Sequence, residues 1–346
     1  MRNLFMTAVM ALTAVCAMPQ PAVSEYRPGR TAEGVTYYLP RTAVRIIVTT
    51  RHEMYKPGDF CKYAERYLHT ENISDKEFDR WSITGIEIGT YGIPDPERMF
   101  SVKLKKGSTA SDVHLTKDGI LASVNAPYTE ALPVEPMVTA DAVSTDPHNY
   151  LTEEILMAGS TSKMAELTAK EIYSIRESRN AITRGQADYV PSDGESFRYI
   201  LENLDRQEKA LMQLFNGTTL SETRTSIITV IPQSDEKHIV LFRMSGKLGV
   251  LAADNLAGEP IYIDINRLET LPENTSVQTG RNGFKYCVPG RTGIRVYGTG
   301  TVYAEKEVPI AQFGNVETLS GTMFLKSDDA GVVFDTATGN VSEIIR

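Results

Sequence analysis

The sequence predicts an α+β protein, with two β-rich modules of sandwich or barrel-like type and a long α-helical hairpin between them. Stretches 25–125 and 218–346 consist of short runs rich in β-branched and aromatic residues, broken by glycine turns. Between them, 150–217 repeats apolar residues at spacings of three and four, the period of a helix. A segment at 126–149 carries Pro127, Pro133, Pro136 and Pro147 and few apolar residues, and reads as a linker or long surface loop.

Residues 1–24 read as a signal peptide. Arg2 and Asn3 precede an uncharged, almost wholly apolar run from Leu4 to Met18. Ala22-Val23-Ser24 then sets small residues where a signal peptidase inspects them, which predicts cleavage before Glu25. A retained span needs roughly 20 apolar residues, and this run is shorter. Lipidation at Cys16 is the rival reading, although Val15 is bulky where a small residue is wanted. No later stretch reaches spanning length. The expectation is an exported protein, periplasmic or extracellular, without an integral span after cleavage; an outer-membrane lipoprotein held by Cys16 is the alternative.

Within the first module, Tyr37 to Arg51 is a strand centred on Val44-Arg45-Ile46-Ile47-Val48. Lys56-Pro57-Gly58-Asp59 turns into a short helix with Phe60, Tyr63, Ala64, Tyr67 and Leu68 on one face. Trp81 to Thr90 and Met99 to Leu104 read as two strands punctuated by Asp95-Pro96, and Leu115 to Asn125 reads as a turn feeding a strand.

A first hairpin helix runs from caps at Ser160-Thr161-Ser162 to about Ala181. Ser192, with Glu195 three residues on, forms a capping box for the second. Phe197, Ile200, Leu201, Leu204, Leu211, Leu214 and Phe215 line one face of that helix, which is expected to pack on a sheet, and Asn216-Gly217 ends it.

Strands are expected in the second module at 224–231, 238–244, 260–266, 284–288, 294–297, 311–313 and 332–334. The run Lys117 to Asn125 echoes Lys247 to Asn255, each a glycine turn entering an apolar strand. A duplicated module and two turns of one type both account for it.

With 36 basic and 44 acidic residues and a net charge of −8, the chain lacks the footprint of a nucleic-acid binder or an anionic-membrane binder. There is no Gly-x-Ser-x-Gly elbow, no His-Glu-x-x-His, no Cys-x-x-Cys and no phosphate-binding loop. His52, His69, His114, His148 and His238 are not paired at ligand spacing, so no catalytic residue, metal or cofactor is assigned. Cys61 and Cys287 remain after the leader, and both a disulfide and two separate buried thiols are open. Tyr37, Tyr38, Tyr91, Tyr286, Tyr297 and Tyr303 lie near turns and strands, where tyrosines fill β-layer cores or meet sugars and proteins. Two polar turn clusters are the candidate binding residues, Lys117-Asp118-Gly119 and Asp254-Asn255 with Gly258, because binding groups concentrate on such loops.

Several segments together resemble a known family. They are Tyr38-Leu39-Pro40; Lys56-Pro57-Gly58 with Tyr63-Ala64 and Tyr67-Leu68; and Lys117-Asp118-Gly119-Ile120-Leu121 with Ser123 and Asn125. Arg184-Gly185 with Ala187-Asp188, Pro191 with Asp193-Gly194, the helix through Gln207-Glu208 to Phe215-Asn216-Gly217, and Asp254 to Pro260 complete the set. In that order they resemble a family of exported proteins of gut-type bacteria catalogued as a domain of unknown function. The resemblance implies a bacterial envelope setting, which makes the Asn72, Asn216, Asn274 and Asn340 glycosylation patterns irrelevant. It carries no activity or catalytic residue. The expected function is an exported, non-enzymatic envelope or secreted protein that binds a protein or glycan partner. A hydrolase of extracellular polymer is the alternative, and a structural subunit of an envelope assembly is a third reading.

Overall fold

The computed structural model describes residues 22–25, 35–103, 112–130, 134–140, 146–187, 193–269, 283–324 and 330–345. The chain begins with strands β1 (Ala22–Glu25) and β2 (Val35–Lys56), followed by helix α1 (Ala64–Leu68). Strands β3 (Phe78–Lys103), β4 (Val113–Leu115), β5 (Leu121–Val124) and β6 (Val138–Ala140) come next. Helices α2 (Glu153–Leu156), α3 (Thr161–Thr183) and α4 (Gly194–Asn216) lead into β7 (Thr218–Val230), β8 (Glu236–Ser245), β9 (Gly249–Leu251) and β10 (Glu259–Arg267). The last strands are β11 (Gly283–Gly298), β12 (Thr301–Ser320), β13 (Gly331–Phe334) and β14 (Val341–Ile345). The fold is α+β, with a helical pair between β-rich parts.

Three antiparallel sheets result, ordered β1-β3-β2-β7-β6, β12-β11-β10-β8-β9 and β14-β13-β5-β4. Strands from both β-rich parts share sheets, since β2 pairs with β7 and β5 with β13. Two long hairpins, β2–β3 and β11–β12, form the frame. Each is longer than the separate strands expected from sequence, because a proline-bearing irregularity bends it without ending it. Pairing slips between Tyr38 and Pro40, where the partner jumps from Met99 to Pro94. It slips again between Val288 and Gly290, where the partner jumps from Asn315 to Ile310. Proline lacks an N–H for the ladder, so bulges and edges are where a strand tolerates it. Asp95-Pro96 is therefore a bulge inside β3.

The bends divide the β structure into two cores. One half of the frame buries Val44, Ile46, Val48, Ile86 and Ile88 against Phe242, Ile261, Ile263, Ile265, Ile294 and Val296 of the facing sheet. The other half buries Tyr37, Leu39, Val102, Phe284 and Phe324 with Leu121, Val124, Val332 and Phe334 of the third sheet. The Tyr37 hydroxyl is buried and accepts from the Lys285 N–H at 2.8 Å. Burial raises its pKa well above the ordinary tyrosine range.

The helical pair forms as expected, but it does not pack on a sheet. Leu211, Leu214 and Phe215 of α4 meet Ala165, Ala169, Ile172 and Ile175 of α3 and Phe60, Ala64 and Leu68 around α1. The 3-10 turn before α1 (Cys61–Tyr63) occupies the place where a sheet was anticipated. Ser192 lies outside the described residues. The N-cap is Asp193, whose Oδ1 accepts from the Ser196 N–H at 2.7 Å. That is the N3 donor left without an intrahelical partner, and the bond holds the Asp193 pKa below the usual carboxylate value. At the other end Gly217 takes φ +76°, a left-handed exit that turns α4 into β7.

The segment read as a linker is tied into the fold at several points. Its β6 adds to the β7 edge with Val138 opposite Arg224. Its 3-10 turn Pro147–Tyr150 carries His148, whose Nδ1 lies 2.8 Å from Asp146 Oδ1 and whose Nε2 lies 3.0 Å from Asp59 Oδ2. Hydrogen bonds to these two carboxylates raise the His148 pKa above its ordinary 6.5. Because the folded value is the higher one, this link is fully present below pH about 6.5 and is lost as pH rises through the raised value. An NMR titration of His148 should show a midpoint above 6.5 that falls when Asp59→Asn removes one partner. A midpoint unmoved by Asp59→Asn would refute the bridge.

The leader at 1–24 is outside the described residues up to position 21, as is Cys16. Strand β1 pairs antiparallel with β3, Glu25 opposite Phe100, and so crosses the point of expected cleavage. Among the described residues, no helix is long and apolar enough to cross a membrane.

Candidate functional site

The end of the first sheet is partly open. Val44, Ile46, Val48 and Thr50 alternate into the core along β2, and the same period carries His52 and Met54 onto that face. The facing sheet stops at the β8–β9 turn, where Trp81 N–H donates to Gly246 O at 2.7 Å. Past that point β2, β3 and β7 run on. Met54 (38 % exposed), Phe78 (38 %) and Leu220 (39 %) are left partly open. They line a cavity of about 900 Å³ with Lys56, Asp79 and Lys247. Register groups Met54 with Asp79 on one side and Leu220 on the other, while Phe78 stands opposite Tyr55 and joins the lining from the end of the sheet.

Stacked rings and charged groups wall the mouth. Tyr55 stacks on Phe78 with ring centroids 5.3 Å apart, and its hydroxyl, with one proton to donate, lies 2.9 Å from Ser74 O and 3.1 Å from Asn216 O. The Arg80 guanidinium lies 4.8 Å from the Phe78 ring. Behind them His52 and Trp81 stack at 4.3 Å, 4° from parallel, and His52 Nε2 lies 2.6 Å from Asp79 Oδ1. Partly exposed apolar groups rimmed by charges of both signs suit an apolar side chain on a polar partner.

A second cavity, about 620 Å³, lies between α3 and α4. Four of its charged groups pair with one another: Arg176 Nε lies 2.6 Å from Glu208 Oε1, and Arg179 Nη1 lies 2.7 Å from Asp205 Oδ1 and 2.6 Å from Glu208 Oε2. These groups join the two helices.

The two turn clusters picked from sequence lie on different sheets. Lys117, Asp118 and Gly119 join β4 to β5. Gly119 takes φ +83°, its carbonyl accepts from the Tyr38 N–H at 2.9 Å, and a side chain there would press on the Tyr38 ring. Lys117 Nζ approaches Glu130 at 3.8 Å. Asp254, Asn255 and Gly258 join β9 to β10. Asn255 Oδ1 accepts from the Ala257 N–H at 3.1 Å, and Arg243 donates to Ala253 O and Gly258 O. No hydrogen bond or ion pair joins the two turns among the described residues. The echo between Lys117–Asn125 and Lys247–Asn255 has a shared geometry: Gly249 is also left-handed, at φ +76°, and lies against the Trp81 ring as Gly119 lies against Tyr38.

Cys61 and Cys287 are both free thiols, one by the helical core and one in the second β core. Burial pushes the Cys287 thiol up to about 11, so it is protonated at neutral pH. Of the tyrosines noted in the sequence, Tyr37 is core, Tyr286 donates to Glu317 Oε2 at 2.8 Å, and Tyr91 lies beside the Arg45 guanidinium. Sequence reasoning missed Met54, Phe78 and Leu220. Periodicity gave no signal for them, because the residues that precede them on the same face, Thr50 and His52 on β2 and Glu222 and Arg224 on β7, are polar.

No group of three His, Cys, Asp or Glu side chains is placed to hold a metal ion among the described residues. No curated protein and no solved structure matches the chain. A family model does, over residues 33–342, which takes in every described strand from β2 to β13 and all four helices. The chain belongs to the family described as Domain of unknown function (DUF4831).

Proposed function

We propose that this chain is an exported, non-enzymatic envelope or secreted protein that binds a protein or glycan partner, and that the mouth at Met54, Phe78 and Leu220 is its protein-binding surface. The observation that carries the reading is the overhang of β2, β3 and β7, which leaves apolar side chains open around a cavity of about 900 Å³. Burying one partner side chain there supplies about 1.5–3 kcal/mol. Lys56, Lys247 and Asp79 at the rim select its charged neighbours. The apolar leader before Ala22-Val23-Ser24 supports the exported setting, and lipidation at Cys16 is its alternative.

The test uses a photo-crosslinking side chain at position 54 of the full chain, expressed in a bacterial envelope. One defined partner is expected, and Leu220→Asp should reduce its capture at least tenfold while leaving the melting curve unchanged. Capture that Leu220→Asp does not alter would remove the mouth from the function. Release of reducing ends from extracellular polysaccharide would instead favour the hydrolase. Edman sequencing should begin at Glu25, and a lipid on Cys16 would move the protein to a membrane surface.

A further inference from the structure

Leu256 stands 80 % exposed in the turn between β9 and β10, a large apolar side chain held out in water. The path of this turn is fixed. β9 and β10 pair with opposite sides of β8, so residues 252–258 must cross that strand. Phe242 points into the core, so its neighbour Arg243 points out, and the crossing lies on the outer face over Arg243. The Arg243 guanidinium donates to Ala253 O at 2.9 Å and to Gly258 O at 3.1 Å. The Asn255 N–H donates to Ala252 O at 3.1 Å, and Asn255 Oδ1 accepts from the Ala257 N–H at 3.1 Å. A Cβ at position 258 would meet the Met244 backbone at 2.9 Å, so glycine there lets the turn lie close on β8.

None of these bonds uses the Leu256 side chain. The turn would close in the same way around a polar residue, so its fold does not account for the leucine. Ala253, Ala257 and Gly258 are small, which leaves a narrow tip with the leucine on it. Asp254 and Glu259 stand on either side in the chain, exposed and without an ion pair among the described residues.

The mouth complements this turn. It offers Met54, Phe78 and Leu220 around a cavity of about 900 Å³, room for the leucine and the small residues that carry it. Lys56 and Lys247 at its rim form no ion pair among the described residues. Of the two acids there, Asp79 lies 2.6 Å from His52 Nε2, which leaves Glu77 beside two lysines. Acids flanking the apolar tip meet lysines flanking the apolar socket, the arrangement that steers a partner and fixes its register. A turn already held by four hydrogen bonds loses little freedom on insertion. The turn lies on the outer face of its sheet, whereas the mouth opens on the core side of the first sheet, so one chain cannot fill its own mouth. Two copies can. Such a contact is heterologous: it leaves one turn and one mouth free, and it repeats.

We propose that the Leu256 turn of one copy inserts into the mouth of the next, so that the partner of the mouth is a second copy of this chain, joined head to tail. The proposal rests on the mouth being a protein-binding surface, and it names what that surface binds.

Sedimentation velocity of the chain purified from a bacterial envelope, over a rising concentration series, should show species larger than a monomer that grow with concentration. Leu256→Asp on the turn and Leu220→Asp in the mouth should each weaken this self-association about tenfold or more, with the melting curve unchanged. Mixed one to one, the two variants should regain a single contact, because one keeps its mouth and the other its turn, and assembly should stop at a dimer. A photo-crosslinker at position 54 of the Leu256→Asp chain should then attach to residues 252–258 of the Leu220→Asp chain. The proposal is overturned if the native chain stays monomeric, if Leu256→Asp associates like the native chain, or if the mixture stays monomeric. Capture of a different polypeptide at position 54 would keep the mouth as a binding surface and remove the second copy from it, whereas capture of nothing would remove both.

Discussion

Thr42→Val is expected to lower the unfolding free energy by about 3 kcal/mol. Thr42 is fully buried where the two long hairpins cross. Its hydroxyl donates to Ala337 O at 2.9 Å and accepts from the Ala311 N–H at 2.9 Å. Valine keeps the shape and removes both bonds, leaving a carbonyl and an amide N–H without partners; each costs about 1–3 kcal/mol when buried. Gln312 completes the crossing, accepting from the Thr42 N–H and donating to the carbonyls of Thr42 and Pro232. It imitates a strand partner at the point where the ladder is interrupted. Thr42→Ser keeps the hydroxyl and should cost only about 1 kcal/mol, the worth of one buried methyl. Urea denaturation of both variants decides the matter. Equal losses would show that the methyl, not the hydroxyl, is what the crossing uses.

Phe215→Ala is expected to cost about 4 kcal/mol, at the upper end for a large-to-small core change. Phe215 is fully buried, with its ring centroid 5.5 Å from that of Phe60 at 58°. Neighbours on three segments surround it, so no single helix can shift to refill the space. The loss should reach beyond the helices, because Phe60 N–H donates to Leu214 O at 2.6 Å and Gly217 leads directly into β7. Denaturation followed by circular dichroism measures it. A loss below about 1 kcal/mol would mean that the cluster collapses around the smaller side chain.

Local chemistry was legible where it acts over a few residues. The α4 face at Leu211, Leu214 and Phe215, the Asn216-Gly217 exit and the β-branched run at Val44–Val48 all follow from periodicity and backbone preference. Cap placement was harder, since Ser192 and Asp193 both have an acceptor at the right kind of position. Asp193 prevails because its carboxylate reaches the Ser196 N–H. Asp95-Pro96 reads as a break between two strands because a proline removes a ladder donor, yet it sits, as Pro289 does, in an irregularity that the hairpin absorbs.

By itself the sequence determined the α+β class, the helical pair between β-rich parts, the acidic balance and the turn positions. Only the tertiary structure decided that β2 pairs with β7 and β5 with β13, which brings residues more than a hundred positions apart into register. It also decided that α4 packs on α1 and α3, and that Met54 and Leu220 open onto a cavity. Periodicity tells which side chains share a face. It does not tell what covers that face, because burial depends on where the partner sheet ends.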